Sequence, residues 1–221
     1  MDKLRLRFKK TGRAIYISHL DLMKTMQRAF SRAEYELKYS EGFNPRPQIS
    51  IALPLSVGMG SVCEVMDFKL KHDADLAEIP SRLTAALPEG IEIIEAYEPI
   101  RKASEIKWLE VEGVMEYDIR DAAEMADAVR AFFAADAIVI TKKTKRGEGE
   151  LDIKPAVQSI EFTPDAEEKC VRVRAVVSAQ EPTLNPELLG EALRQKAPGL
   201  APDFAKYTRI ETYDAQMNVF R

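Results

Sequence analysis

The chain has 221 residues, 46% of them hydrophobic, with a formal charge of −4 and a pI near 5.5. That length holds one or two hydrophobic cores, and the acidic balance excludes a uniformly basic nucleic-acid binder while leaving room for a local basic face. The charge is uneven: residues 1–54 carry eleven Lys and Arg against five Asp and Glu, the remainder 21 against 31, so the N-terminal quarter is the candidate anion-binding part.

Only Cys63 and Cys170 are present, 107 positions apart. This spacing offers no disulfide framework and no cysteine-based zinc or iron–sulfur motif. The start of the chain alternates polar and apolar residues and lacks the apolar core of a signal peptide. No apolar run approaches the roughly 18 residues that span a bilayer. The expectation is a reduced, cytoplasmic protein with no membrane segment.

In chain order, residues 3–9 alternate as a strand and Thr11-Gly12 turns into Ala14-Ile15-Tyr16-Ile17. Ser18 opens a helix, with Asp21 completing a Ser-x-x-Asp capping box in which each side chain serves the other's free backbone N–H. Leu22, Met26, Ala29, Phe30 and Ala33 form its apolar face; Lys24, Arg28 and Arg32 form a basic stripe at four-residue spacing. A loop rich in Gly and Pro runs from Ser40 to Pro47. Strands are expected over 49–53 and 62–70, a helix over 75–87 delayed by Pro80, and a strand over 91–94. The order strand, helix, strand, strand, helix, strand is the ferredoxin-like pattern.

The second half repeats that order. A strand covers 108–119, and Asp121 with Glu124 caps a helix bearing Met125, Val129, Phe132 and Phe133. Strands are expected over 137–141, 151–153 and 171–177. Asn185-Pro186 starts a helix as N-cap and N1, and residues 204–213 close the sheet. The fold class is therefore α+β, two tandem ferredoxin-like units with antiparallel sheets, residues 1–100 and 105–221.

Two segments draw attention as binding elements. In Tyr39-Ser40-Glu41-Gly42-Phe43-Asn44-Pro45-Arg46-Pro47, Gly42 permits a positive φ and the prolines hold Asn44 and Arg46 in stiff, extended backbone. A rigid segment carrying Arg, Asn and two aromatics suits phosphate contact and base stacking; the alternative is an ordinary connection with Phe43 plugging the core. The second segment, Lys142 to Pro155, places Lys142, Lys143, Lys145 and Arg146 beside two glycines, as in a basic hairpin tip that touches phosphate or a solvated β-turn. Asp152 and Lys154 share a side if 151–154 is a strand. His19, just after the helix N-cap, could serve as a general base with Tyr16 or Tyr39 nearby, although a lone histidine at a cap is more often structural. Two histidines without clustered carboxylates argue against a metal site, and there is no P-loop, no G-x-G-x-x-G and no Ser-His-Asp arrangement.

At Tyr16-Ile17-Ser18-His19-Leu20-Asp21-Leu22-Met23, then Tyr39-Ser40-x-Gly42-Phe43-Asn44-Pro45-Arg46-Pro47 and Ile49-Ser50-x-Ala52-x-Pro54-Leu55-x-Val57-Gly58, the sequence resembles the radical-SAM-linked protein family. The likeness returns at Arg146-Gly147-Glu148 and at Leu151-Asp152-Ile153-Lys154-Pro155, where Lys154 stands in place of the family's usual Arg and lacks its bidentate fork. Members occur fused to, or encoded beside, radical S-adenosylmethionine (SAM) proteins. The resemblance implies a radical SAM protein as partner. Two cysteines so far apart cannot hold the partner's cluster, and no cofactor of the chain's own is expected.

Together these readings give a non-catalytic module that recognises RNA, a tRNA or rRNA element, for a radical SAM partner. Its contacts would be Lys24, Arg28, Arg32, Tyr39, Phe43, Asn44, Arg46, Lys143, Lys145, Arg146 and Lys154. The rivals are a subunit that binds only the radical SAM enzyme and a metal-independent endoribonuclease using His19.

Overall fold

The computed structural model describes residues 3–144 and 147–221. It divides into one unit reaching to Glu105, joined by Arg221, and a second from Ile106 to Phe220. Both are mixed α+β with antiparallel strands and two helices each. Among the described residues no helix is long and apolar enough to cross a membrane.

The first unit comprises β1 (Leu4–Lys10), α1 (His19–Arg32), β2 (Ile49–Ile51), β3 (Gly60–Phe68), α2 (Ile79–Ala86) and β4 (Ile91–Tyr97). Its strands lie in the order β4-β1-β3-β2. The apolar face expected for α1 is the one it buries: Leu22, Met26, Ala29, Phe30 and Ala33 pack with Leu4, Leu6, Phe8, Met66 and Phe68. The Phe30 and Phe68 ring centroids are 5.1 Å apart. Each fully buried Leu, Met or Phe among them contributes about 1.5–3 kcal/mol.

Ser18 caps α1 by accepting the Asp21 N–H at 3.2 Å, but the reciprocal half of the expected box is absent. The Asp21 carboxylate instead accepts the Ser18 hydroxyl at 2.7 Å. The helix expected over 75–87 begins only at Ile79, because Asp75 takes the Ala77 N–H into a local turn ahead of Pro80. Lys10 ends β1 fully buried, and its ammonium donates to the Ile15 carbonyl at 2.9 Å, fastening the turn over Gly12–Tyr16. Burial pushes the Lys10 pKa down, and the nearby Glu64 opposes that shift.

In the second unit β5 (Trp108–Glu116), α3 (Ala122–Phe133), β8 (Val157–Asp165), β9 (Cys170–Ser178), α4 (Glu187–Lys196) and β10 (Phe204–Tyr213) form the core, with strand order β10-β5-β9-β8. Between α3 and β8, β6 (Val139–Thr144) and β7 (Gly147–Asp152) make a separate two-stranded sheet. This corrects the expectation that residues 137–141 and 151–153 belong to the main sheet. The strand in that place is β8, whose apolar alternation changes phase at a bulge between Val157 and Ser159. As an edge strand it also tolerates Pro164.

The buried face of α3 is Ala122, Ala126, Val129 and Phe133, with Met125 and Phe132 only half-buried, and Asp121 alone accepts the cap hydrogen bonds. Helix α4 starts at Glu187, one residue later than expected. Asn185 still accepts the Glu187 N–H at 3.2 Å.

Gly113 of β5 lies under the ring of Tyr207, where an added Cβ would stand 2.4 Å from Cδ1. Tyr207 is itself buried, so the ring has little room to retreat. Gly113→Val is expected to destabilise the protein by about 2 kcal/mol or more, visible as a lowered midpoint in urea unfolding.

Candidate nucleic-acid interface

The segment after α1 leaves the helix through Glu34 at φ 62° and runs beside the end of β3. Leu37 bridges Leu70, the Lys38 N–H donates to the Lys69 carbonyl at 2.8 Å, and the Lys69 N–H donates to the Gln48 carbonyl at 3.1 Å. The Gln48 N–H closes back on the Lys38 carbonyl at 2.8 Å. From this base residues 39–47 project as an arm. Tyr39 bridges Pro47, the Ser40 N–H donates to the Arg46 carbonyl at 2.8 Å, and the Arg46 N–H donates to the Ser40 Oγ at 3.0 Å.

At the arm's tip Gly42 takes φ 119° with open space where a Cβ would be. Phe43 is fully exposed, at 106% of its reference area, which removes the reading of this ring as a core plug. Tyr39 is 48% exposed, and Asn44 and Arg46 are exposed as well. Among the described residues the Arg46 side chain makes no hydrogen bond or ion pair, so neither Glu34, Glu36 nor Glu41 neutralises it.

Tyr39 also lines a depression of about 720 Å³ with Gln27, Arg28, Arg32, Tyr35 and Lys71. The structure thus gathers Tyr39, Arg28 and Arg32 around one hollow; Lys24, Phe43, Asn44 and Arg46 do not line it. Its cations are not equally available. Arg32 donates to the Ala86 carbonyl at 3.4 Å, while Lys71 lies 3.0 Å from Glu36 and, by hydrogen bond and charge, holds that carboxyl below the usual range. Farther up α1, Lys24 stands 3.9 Å from Asp21. The Arg28 side chain has no such partner among the described residues. Lys38 and Lys71 were not singled out in the sequence. Both lie where the chain leaves a buried apolar position (Leu37, Leu70) for an exposed one, an alternation that the short run hides.

The second basic segment is arranged differently. Lys145 and Arg146 lie outside the described residues, and only the backbone of Lys143 is described, in register with Glu148. Lys142 is exposed. Lys154 does not share a strand with Asp152, because β7 ends at Asp152 and residues 154–156 form a 3-10 turn. Its ammonium donates at 2.5 Å to the carbonyl of Phe133, the last residue of α3, where a cation complements the helix dipole. Asp152 Oδ1 accepts the N–H groups of Ile138 and Lys154 at 2.9 and 3.0 Å. The Leu151-to-Pro155 block therefore pins the hairpin base to α3, and Gln195 of α4 grips the edge of β6 by a pair of hydrogen bonds to Thr141.

His19 is the first residue of α1 and half-buried. Among the described residues no carboxylate hydrogen-bonds or pairs with its ring, and no group of three or more His, Cys, Asp or Glu is placed to hold a metal ion.

These placements separate two kinds of basic residue. Lys154→Met is expected to lower stability by about 1–2 kcal/mol through loss of a charged hydrogen bond at a helix end. Phe43→Ser, at a side chain that covers nothing, is expected to leave the unfolding midpoint unchanged. Paired urea titrations of the two variants check both.

Residues 3–186 match the model of a family described as an uncharacterised protein conserved in bacteria (DUF2344). No curated protein matches the chain. Among solved structures, a chain from the crystal structure of a Cbf5-Nop10-Gar1 complex is similar at 12% identity and a TM-score of 0.49. The similarity covers 95% of this chain and 48% of that one, so this chain spans about half the length of its structural neighbour.

Proposed function

We propose that this chain, which belongs to the DUF2344 family of uncharacterised proteins conserved in bacteria, is a non-catalytic module that binds RNA through the arm of residues 39–47 and the adjoining hollow. The observation that carries the reading is the pairing of a fully exposed Phe43 with an uncompensated Arg46 on a loop made stiff by its own hydrogen bonds. Exposing a phenyl ring to water is unfavourable, and holding it on an ordered arm costs backbone entropy as well. A partner that stacks on the ring and neutralises the guanidinium accounts for both features. Arg28 and Tyr39 extend the surface toward the hollow.

The same reading takes each unit as ferredoxin-like, since the orders β4-β1-β3-β2 and β10-β5-β9-β8, each with two helical crossovers, are those of that motif. The radical SAM partner rests on the motif resemblance at residues 16–23 and 39–58, with its return at 146–148 and 151–155. In this arrangement the partner does the chemistry and this chain delivers the RNA element, a tRNA or rRNA segment.

The direct test is RNA binding by the wild type and Arg46→Ala across a salt series. Wild-type affinity should fall steeply with salt. The variant should bind several-fold more weakly with a shallower slope, because a protein that neutralises fewer phosphates releases fewer counterions. Identical slopes and affinities would count against the arm.

The ribonuclease alternative finds no orienting carboxylate on His19. Incubation of wild type and His19→Ala with labelled structured RNA in the absence of metal is expected to give no discrete cleavage by either. Specific cleavage that disappears in the variant would replace the binding-module reading.

A further inference from the structure

We infer that the arm takes an unpaired stretch of RNA (a loop, bulge or single strand) and not a duplex; this rests on the RNA-binding reading and narrows it. Two observations carry it. The first is the supply of cations. Of the helix residues expected to form a phosphate track, Lys24 is beside Asp21 at 3.9 Å and Arg32 is held at the Ala86 carbonyl; Lys71, a further cation lining the same hollow, is held by Glu36 at 3.0 Å. Along the helix stripe and the arm, the guanidinium groups left without a partner among the described residues are Arg28 and Arg46. Duplex RNA is recognised through its shape, by phosphate and 2′-hydroxyl contacts spread over successive grooves. Affinity of that kind grows with the number of phosphates neutralised, and a stripe with two of its three cations engaged, beside an arm that carries one, is a poor match for it.

The second observation is the aromatic pair. Phe43 is fully exposed and Tyr39 half so, and they lie on one arm whose turn at Gly42 and ladder between Ser40 and Arg46 fix them relative to each other. A base can stack on a protein ring only if one of its faces is free, which paired and stacked bases in a helix do not offer. Stacking is tolerant of base identity, so Phe43 and Tyr39 supply binding to any splayed bases, and the exposed Arg46 on the same arm supplies a cation for their phosphates. The exposed Asn44 amide, beside Phe43, adds donors and an acceptor for a base edge.

The experiment uses the full chain and a fluorescently labelled RNA oligonucleotide of mixed sequence, presented as a single strand and as a blunt duplex with its complement, with binding followed by anisotropy at low salt. The single strand is expected to bind about tenfold or more tightly than the duplex. Phe43→Ala should weaken single-strand binding by about tenfold, the scale of one base–aromatic stack, while Phe43→Trp should retain it. Because Phe43 covers nothing, neither variant threatens the fold. Equal affinity for the two forms, or single-strand binding indifferent to Phe43→Ala, overturns the inference while RNA binding itself stands. Absence of binding to either form overturns the RNA reading as well.

Discussion

The arm of residues 39–47 keeps its shape because three backbone segments meet at its base. The continuation of β3 at Lys69–Lys71 receives the outgoing chain at Glu36–Lys38 and the returning chain at Gln48, and Lys38 and Gln48 bond to each other as well. Such hydrogen bonds add only about 0.5–1.5 kcal/mol each. Their larger effect is to fix where the arm begins and ends, so that Gly42, Pro45 and Pro47 determine what projects from it. The constraint reaches into the core. Leu37 and Leu70, which bridge at this point, are both buried in the cluster that seats α1 on the sheet. Presentation of Phe43 and Arg46 is thus tied to the packing of the first unit.

Much of this was legible in the sequence where local chemistry decides the outcome. The α1 face of Leu22, Met26, Ala29 and Phe30 follows from helical spacing, the arm's turn from Gly42, and its stiffness from two prolines. What escaped depended on long-range pairing or on competition between donors. The phase change at Val157–Ser159 hid β8, because a bulge erases the period-two signal by which strands are read. Lys154 looked like a phosphate ligand by its neighbours in sequence, yet the end of α3, 21 residues earlier, supplies the carbonyl that its ammonium takes. The Ser18 cap formed while its partner carboxylate turned to the hydroxyl, an outcome no spacing rule distinguishes.

The same distinction organises the charges. A basic stripe read from four-residue spacing treats Lys24, Arg28 and Arg32 alike. In the folded unit Asp21 and the Ala86 carbonyl engage the outer two, and Arg28 remains available. Even a weak solvent-exposed pair of this kind, about 0–1 kcal/mol, must be given up before Lys24 can meet a phosphate. Arg46 requires no such exchange, and this places the centre of the proposed surface on the arm, with the helix in a supporting role.

Photocrosslinking of the full chain to a single-stranded RNA carrying photoreactive uridines, followed by mapping of the crosslinked peptides, tests the central claim most directly. The account predicts crosslinks concentrated in residues 37–48, led by Phe43 and Tyr39. Crosslinks that map elsewhere and leave this segment unmodified would contradict it.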